Sequence, residues 1–413
     1  MPDKDAKVAI SRRQLLRTSL ALPLAAVGTG AESAAFDTAP IYQRLGVKTY
    51  INAYGTLTTL TGTLMLPEVK RAMEEASLNF VRIHDLQAKV GKRLAELTGA
   101  EAAFVSAGAS ASLCLATCAV TTGGDPEKID QLPHLDGPIE MKSEIIIQKI
   151  HRGSYDHAFR MVGVKLVEVE TEEEMRQAIG PKTAALAMVM SHNSLGHKVS
   201  FEQMIAIAHE ADLPLILDAA AELPPVENLS KFVGMGADLV AFSGGKNLRG
   251  PQCAGMLLGK KELIEAAYAN SAPHNHFARI AKVGKEEIVG LLRAVELYVN
   301  ERDHQAERKE HHAMLERVRN RLEGIRTVVT EYATNDDYSH SPRLTVQWDE
   351  SALGLTLEDV MTELQDGEPG IIATNMERYR PSWKGVGIFP YNLQPGEEIM
   401  VADRFREILG RRA

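Results

Sequence analysis

The sequence is poor in the features that mark several large classes of protein. It has three cysteines in 413 residues, too few for a disulfide framework. Its 46 lysines and arginines are outnumbered by 55 aspartates and glutamates, so the charge gives no reason to expect a nucleic-acid partner. No apolar run reaches the roughly 20 residues that a membrane-spanning helix needs. The composition is that of an ordinary globular protein, 45% hydrophobic.

The three cysteines are not in patterns typical of nucleophiles or metal ligands. Cys114 and Cys118 are four residues apart in an apolar stretch that reads as a helix, so they share one face and are expected to be buried. Cys253 lies in a glycine-rich turn. No cysteine is therefore a candidate for the chemistry.

The first 35 residues differ from the rest of the chain. Arg12 and Arg13 belong to the stretch SRRQLL, which is followed by a modest apolar run and then by small residues before Phe36. This order is typical of a twin-arginine export signal. We expect residues 1–35 to direct a folded protein to the periplasm. The alternative is a start of the chain that carries two arginines by chance, in a cytoplasmic protein.

From about residue 67 the chain alternates helical patterns with short apolar strands. This alternation predicts a mostly parallel sheet covered by helices on both faces. The predicted strands are 102–106, 144–148, 165–169, 184–190, 215–217, 239–242 and 254–258. A charge-rich helical tract over 286–322 precedes a further β/α region. The predicted organisation is an N-terminal segment (36–66), a large domain (67–295) and a small α/β domain with its connecting helix (296–413).

The strongest chemical signal is the turn after the strand at 239–242. The chain reads Ser243-Gly244-Gly245-Lys246 and returns through a glycine-rich segment. A lysine at the carboxyl edge of an α/β sheet stands where such folds bind ligands. A desolvated lysine amine loses its proton readily and forms an imine with an aldehyde. Taken alone, this lysine could equally be a surface residue in a glycine loop.

Three further features give Lys246 the companions that pyridoxal phosphate (PLP) needs. Asp218 ends a buried strand and would pair with the protonated pyridine nitrogen; the alternative is a helix N-cap. A strand–loop–helix junction offers backbone N–H groups to a phosphate, with Ser243 as a further hydroxyl. His151 follows a strand and would stack on the pyridine ring; the alternative is an ordinary core histidine. The residues predicted to cradle the phosphate are Ser106, Gly108, Ala109 and Ser110.

In this order the features resemble fold-type I PLP enzymes, with the fold of aspartate aminotransferase. The chain is most similar to the selenocysteine synthase-like branch, which contains L-seryl-tRNA selenium transferase and D-glucosaminate-6-phosphate ammonia-lyase. The matching stretches include INAYGTLT, GAEAA, DAAAELPP, the segment 242–252 and KVGKEEI. The resemblance covers about residues 41–300 well and the remainder loosely.

The resemblance implies further residues and an assembly. Thr56 would face the substrate, and active sites would lie at the interface of a homodimer or higher homo-oligomer. Arg343 falls where such enzymes often hold a substrate carboxylate, a task that suits a bidentate guanidinium; the alternative is an exposed arginine on a strand edge. The chain departs from its relatives at Asn375, where an arginine is expected, so the substrate is left open.

The predicted function is a PLP-dependent enzyme that acts on a small amino acid or amino-sugar acid through a Schiff base, with Lys246, Asp218 and His151 as catalytic residues. A lyase that eliminates or deaminates is favoured. A racemase, an aminotransferase and a seleniumtransferase-type enzyme use the same carbanion and stay open. A non-catalytic binding or regulatory module is the non-enzyme alternative, against which the retention of Lys246 and Asp218 argues. The histidines of 274–276 and 311–312 lack nearby carboxylates at ligand spacing, so no metal site is predicted.

Overall fold

A computed structural model describes residues 40–191, 196, 198–333, 342–378 and 384–411. The twin-arginine pattern and the small residues after it lie outside this range. The chain divides into two units, residues 1–49 and 50–413. In the first unit the described residues form the short helix α1 (Ile41–Arg44). Among the described residues, no helix has the length and apolar character needed to cross a membrane.

The second unit is built around a seven-stranded sheet, as the alternating pattern predicts. Its strand order is β2-β8-β7-β6-β5-β3-β4, and only β8 runs against the other strands. Strands covered on both faces read as continuous apolar runs. The strands are β2 (Ala102–Ser106), β3 (Glu144–Gln148), β4 (Lys165–Val169), β5 (Thr183–Val189), β6 (Leu215–Asp218), β7 (Leu239–Ser243) and β8 (Gly255–Gly259).

Helices cover both faces of this sheet and bury two apolar layers. One layer contains Leu94, Phe232 and Leu291. The other contains Leu115, Phe159 and both Cys114 and Cys118, which confirms that these two cysteines are buried. The helices are α2 (Pro67–Ser77), α3 (Ile83–Thr98), α4 (Ala109–Thr122), α5 (Pro126–Gln131), α6 (His157–Arg160), α7 (Glu172–Ala178), α8 (Phe201–Glu210), α9 (Asn228–Met235) and α10 (Lys261–Asn270).

The helical tract predicted over 286–322 is two helices, so the prediction of one continuous tract is wrong. The tract consists of α11 (Lys285–Asn300) and α12 (His304–Leu322). Asp303 is the N-cap of α12, because its carboxylate accepts hydrogen bonds from the backbone N–H groups of Gln305 and Ala306. This cap separates α12 from α11. Tyr298 on α11 packs in a core of the large sheet, whereas Met314 on α12 packs in the core of the C-terminal region. The domain boundary between residues 295 and 296 stays a prediction.

The C-terminal region forms a separate core around a small antiparallel sheet of order β12-β13-β10-β9. Part of the predicted N-terminal segment joins it, since β1 (Tyr50–Asn52) pairs in parallel with β11 (Gly370–Ile372) and buries Ile51 and Ala53 there. The other elements are β9 (Val329–Ala333), β10 (Arg343–Gln347), β12 (Thr374–Asn375), β13 (Val386–Ile388), α13 (Glu350–Leu353), α14 (Leu357–Asp366) and α15 (Glu397–Gly410).

Candidate active site

The carboxyl ends of the parallel strands bring several predicted residues to one edge of the large sheet. Ser106 ends β2, Asp218 ends β6 and Ser243 ends β7. Ser106 and Ser243 both pair with Gly255, the first residue of β8, one from each side. Asp218 lies one strand further along, paired with Ala241. Three predicted site residues are therefore neighbours across four strands.

Helix α4 starts at this edge, directly after β2. Its cap residue, Gly108, has φ 95°, a conformation that glycine adopts without strain. A Cβ atom on Gly108 would meet nothing within 4 Å, whereas one on Gly255 would lie 2.4 Å from the Gly108 carbonyl carbon. The first N–H groups of a helix have no partner within it. This junction therefore offers donors to an anion in open space.

The predicted cradle residues differ in what their side chains do. The Ser106 hydroxyl is fully buried, donates to the Gly108 carbonyl at 3.0 Å and lies 2.6 Å from the Ser112 hydroxyl. It therefore fixes the shape of the loop. Ala109 is buried and Ser110 is exposed at the first turn of α4. Their part in holding a phosphate stays a prediction.

The turn that carries Lys246 is held by backbone contacts. The Gly244 N–H donates to the Ala254 carbonyl at 2.8 Å, and the Thr63 hydroxyl donates to the Lys246 carbonyl at 3.0 Å. A Cβ atom on Gly245 would stand 2.4 Å from the Gln252 Cα. The glycines of this turn are thus needed for the close approach of its two arms. The turn presents Lys246 from a fixed backbone.

Burial lowers the pKa of the Lys246 amine, while the negative charges of Asp218 and Glu222 act in the opposite direction. A desolvated amine sheds its proton at a lower pH than an exposed lysine does. The charged groups around Lys246 are carboxylates, so the lysine is held between an apolar environment that favours the neutral amine and acids that favour the ammonium. Such a group suits imine formation and proton transfer.

Asp218 is 8% exposed, and its Oδ1 accepts the Ala220 N–H at 3.0 Å. No helix starts after it: the next helix, α9, begins at Asn228. The helix N-cap alternative for Asp218 is therefore wrong. A carboxylate at this depth is costly without a cation nearby, and Lys246 is one such cation.

Three other predicted residues lie in other segments of the chain. His151 is fully buried in a 3-10 turn that directly follows β3. Thr56 is half-buried in the loop after β1. Arg343 begins β10, an inner strand of the small sheet, and is 3% exposed. The alternative of an exposed arginine is therefore wrong, and the substrate roles of Thr56 and Arg343 stay predictions.

The structure adds residues that sequence reasoning missed. Thr63 binds the lysine turn from 183 positions away in the chain, which no local pattern could reveal. Asn247 donates to the Leu223 carbonyl at 2.7 Å and so joins the lysine turn to the segment after Asp218. The charges of both Asp218 and Lys246 act on the Glu222 carboxyl. Its signal in the sequence was an acid four residues after Asp218, in a segment that follows a buried strand.

The described residues contain no group of three or more histidine, cysteine, aspartate or glutamate side chains placed to hold a metal ion. His274 and His276 instead contact each other, with ring centroids 6.2 Å apart. His311 is half-buried, and its pKa is lowered by that burial.

Comparison with known proteins places this site in a family. The L-seryl-tRNA selenium transferase family matches residues 66–352. A D-glucosaminate-6-phosphate ammonia lyase of Salmonella typhimurium is 33% identical over 89% of this chain and 97% of its own. A 5'-C-glycyluridine monooxygenase-decarboxylase of a Streptomyces species is 32% identical over 89% of this chain and 92% of its own.

The solved structure of a D-glucosaminate-6-phosphate ammonia-lyase superposes with a TM-score of 0.79, at 33% identity, covering 91% of this chain and 99% of that one. The relatives of this chain are enzymes of several reaction types. The chain has the fold of fold-type I PLP enzymes, and it belongs to the L-seryl-tRNA selenium transferase family.

Proposed function

We propose that this protein is a PLP-dependent lyase that eliminates or deaminates a small amino acid or amino-sugar acid. The observation that carries the proposal is the meeting of Lys246, Asp218 and the open start of α4 at one edge of the sheet. The 33% identity to an ammonia lyase over nearly the whole chain supports the reaction class.

The residues present fit PLP group by group. The N–H groups that follow Gly108 would hold the phosphate, and the open space at its Cβ position leaves room for it. The buried carboxylate of Asp218 would bind the pyridine nitrogen, and the Lys246 amine would bind the aldehyde carbon. His151 would lie against the ring. Bound in this way, PLP supplies an electron sink for the charge that develops at the substrate α-carbon.

The chain's own residues would then move protons and orient the substrate. Lys246, released when a substrate amine takes its place, would accept and return a proton at the α-carbon. Asp218 would keep its negative charge beside the pyridine nitrogen and so stabilise the positive form of that nitrogen. Arg343 would bind a substrate carboxylate, because a guanidinium matches a carboxylate with two parallel hydrogen bonds.

Elimination is preferred over the other reactions of the same carbanion because the ammonia lyase matches over 97% of its own length. A relative of nearly equal identity is a monooxygenase-decarboxylase, so decarboxylation at the same site is the second candidate. A panel of amino acids and amino-sugar acids, assayed for ammonia, keto acid, carbon dioxide and loss of optical rotation, separates lyase, decarboxylase, transaminase and racemase.

The cofactor proposal is tested with purified protein and Lys246→Ala. We expect the wild type to show the visible band of a lysine-bound PLP, and borohydride to trap this PLP on Lys246. We expect Lys246→Ala to lack the band. Lys261→Ala is the matched control, since Lys261 is an exposed lysine of the same domain. A wild-type protein without the band, or a variant that keeps it, would overturn the proposal.

We further propose export by the twin-arginine route and assembly into a homodimer or higher oligomer. The support for export is the Arg12-Arg13 pattern ahead of an apolar run. Cell fractionation tests it: the wild type is expected in the periplasm and the double change Arg12→Lys/Arg13→Lys in the cytoplasm. Equal periplasmic amounts of the two proteins would contradict it. Light scattering of the mature protein measures the assembly.

A further inference from the structure

Glu222 is a half-buried acid at the candidate site to which the proposed function gives no task. It lies in the turn that follows β6, where its backbone N–H donates to the Ala219 carbonyl at 3.1 Å. The Oε1 atom is fully covered and has no hydrogen-bond partner among the described residues. A buried carboxylate oxygen without a donor is costly in its ionised form, so its retention calls for a reason.

The segment that carries Glu222 is tied to the lysine turn. The Asn228 side chain donates to the Glu222 carbonyl at 2.6 Å, and the Asn247 side chain donates to the next carbonyl, that of Leu223, at 2.7 Å. Asn247 is itself held from the other side, because Arg302 donates to its carbonyl at 2.7 Å. The position of Glu222 relative to Lys246 is therefore fixed by hydrogen bonds on both segments.

The charges around Glu222 come from both elements that face it. Burial raises the pKa of its carboxyl to about 7; the negative charge of Asp218 adds to the rise, and the positive charge of Lys246 opposes it. The pKa of Lys246 is lowered at the same time, mainly by burial. The affinities of the acid and the amine for a proton are thus brought closer together, as in a pair that exchanges protons.

We propose that Glu222 is a second proton-transfer residue of this site. It takes the proton that the Lys246 ammonium releases and later gives that proton to the hydroxyl that departs as water. The inference rests on the proposed function, since it assumes that Lys246 attacks an aldehyde. It gives the site an internal acid and base whose charge acts on the attacking nitrogen, so that the transfer does not depend on bulk water.

The proton balance of this role closes. An N–H bond of the ammonium breaks and an O–H bond forms on Glu222, which leaves a neutral amine. The nitrogen lone pair attacks the aldehyde carbon, and the carbonyl oxygen becomes a hydroxyl by taking a proton from the nitrogen. Glu222 then gives its proton to that hydroxyl, which departs as water. The protonated imine and the Glu222 carboxylate remain, with the net charge unchanged.

The test follows the loading of the apoprotein with PLP by stopped-flow absorbance across pH, comparing the wild type, Glu222→Gln and Glu227→Gln. Glu227 is an exposed acid of the same segment, so its change is a control for loss of charge. We expect Glu222→Gln to load about 100-fold more slowly at neutral pH, the lower end of the range for one general acid–base group. We also expect the inflection near the Glu222 pKa to vanish, and Glu227→Gln to match the wild type.

The outcomes separate the possible failures. If the wild type shows no visible band, or if Lys246→Ala keeps the band, the proposed function fails together with this inference. If the wild type loads PLP and Glu222→Gln loads it at the same rate with the same pH profile, this inference alone is overturned. Faster loading by Glu222→Gln also overturns it, because Glu222 then only raises the pKa of Lys246. Glu222→Asp, which keeps the acid, is expected to retain part of the PLP loading rate and the inflection in its pH profile. Thermal unfolding of Glu222→Asp and Glu222→Gln tests whether both variants fold.

Discussion

The two edges of the large sheet each place a lysine beside acidic groups, and the pKa of that lysine is shifted in opposite directions at the two edges. At the amino edge, Asp238 is 1% exposed, accepts the Leu215 N–H at 2.7 Å and lies 2.7 Å from the Lys260 amine and 3.0 Å from the His209 ring. At the carboxyl edge, the negative charges of Asp218 and Glu222 both act on Lys246, whose amine is desolvated.

The difference leads us to expect different roles for the two edges. A buried carboxylate that is hydrogen-bonded to the backbone and paired with cations stabilises one arrangement of strands, and its hydrogen bond raises the pKa of Lys260. At the carboxyl edge the pKa of an acid is raised and that of an amine is lowered, a pattern that is typical of reactive sites. We therefore expect changes at the amino edge to affect folding and changes at the carboxyl edge to affect catalysis.

The largest effect is expected from Asp218→Asn. The amide keeps the shape of the side chain but loses the charge that would stabilise a protonated pyridine nitrogen. Turnover is expected to fall by about 10²- to 10³-fold, the loss that a broken buried ion pair of ~3–4 kcal/mol implies. Steady-state kinetics and urea unfolding measure the two sides. A variant that loses stability while it keeps its turnover number would contradict the division between the edges.

A smaller effect, on folding alone, is expected from Asp238→Ala. The change removes the acceptor of the buried Leu215 N–H and one partner of Lys260. The free energy of unfolding is expected to fall by about 2–3 kcal/mol. Turnover per folded molecule should stay within about twofold of the wild type. Asp130→Ala, at a carboxylate that is 75% exposed, is the control with little expected change in stability.

The smallest effect is a pH dependence of stability that comes from Glu222. Its pKa in the folded protein, about 7, exceeds the ~4.3 of an unfolded chain. The folded state therefore holds this proton more tightly, and the stabilising contribution is present below about pH 4.3 and lost as the pH rises to about 7. Relative to Glu222→Gln, the wild type should lose on the order of 2 kcal/mol across that range. Urea unfolding near the two limits measures the loss, and parallel stability curves would contradict it.

Much of the fold could be predicted because its signals are local. Seven apolar runs separated by helical patterns indicate a two-faced sheet, and the bounds of β2, β3 and β4 were predicted to the residue. The break at Asp303 was missed because one capping side chain outweighs the helical propensity of a charge-rich tract. The pairing of β1 with β11 was missed because it joins residues more than 300 positions apart.

The sequence by itself determined that Asp218 ends one strand and that Lys246 lies in the turn after another, at the carboxyl edge of the sheet. The tertiary structure decided that these two strands are neighbours. Only the tertiary structure decided which charges surround that lysine. The charge of Glu222 acts on it from a segment that Asn247 and Asn228 hold by hydrogen bonds to its backbone. A desolvated acid acquires its raised pKa from the packing around it, and that packing is assembled from distant parts of the chain.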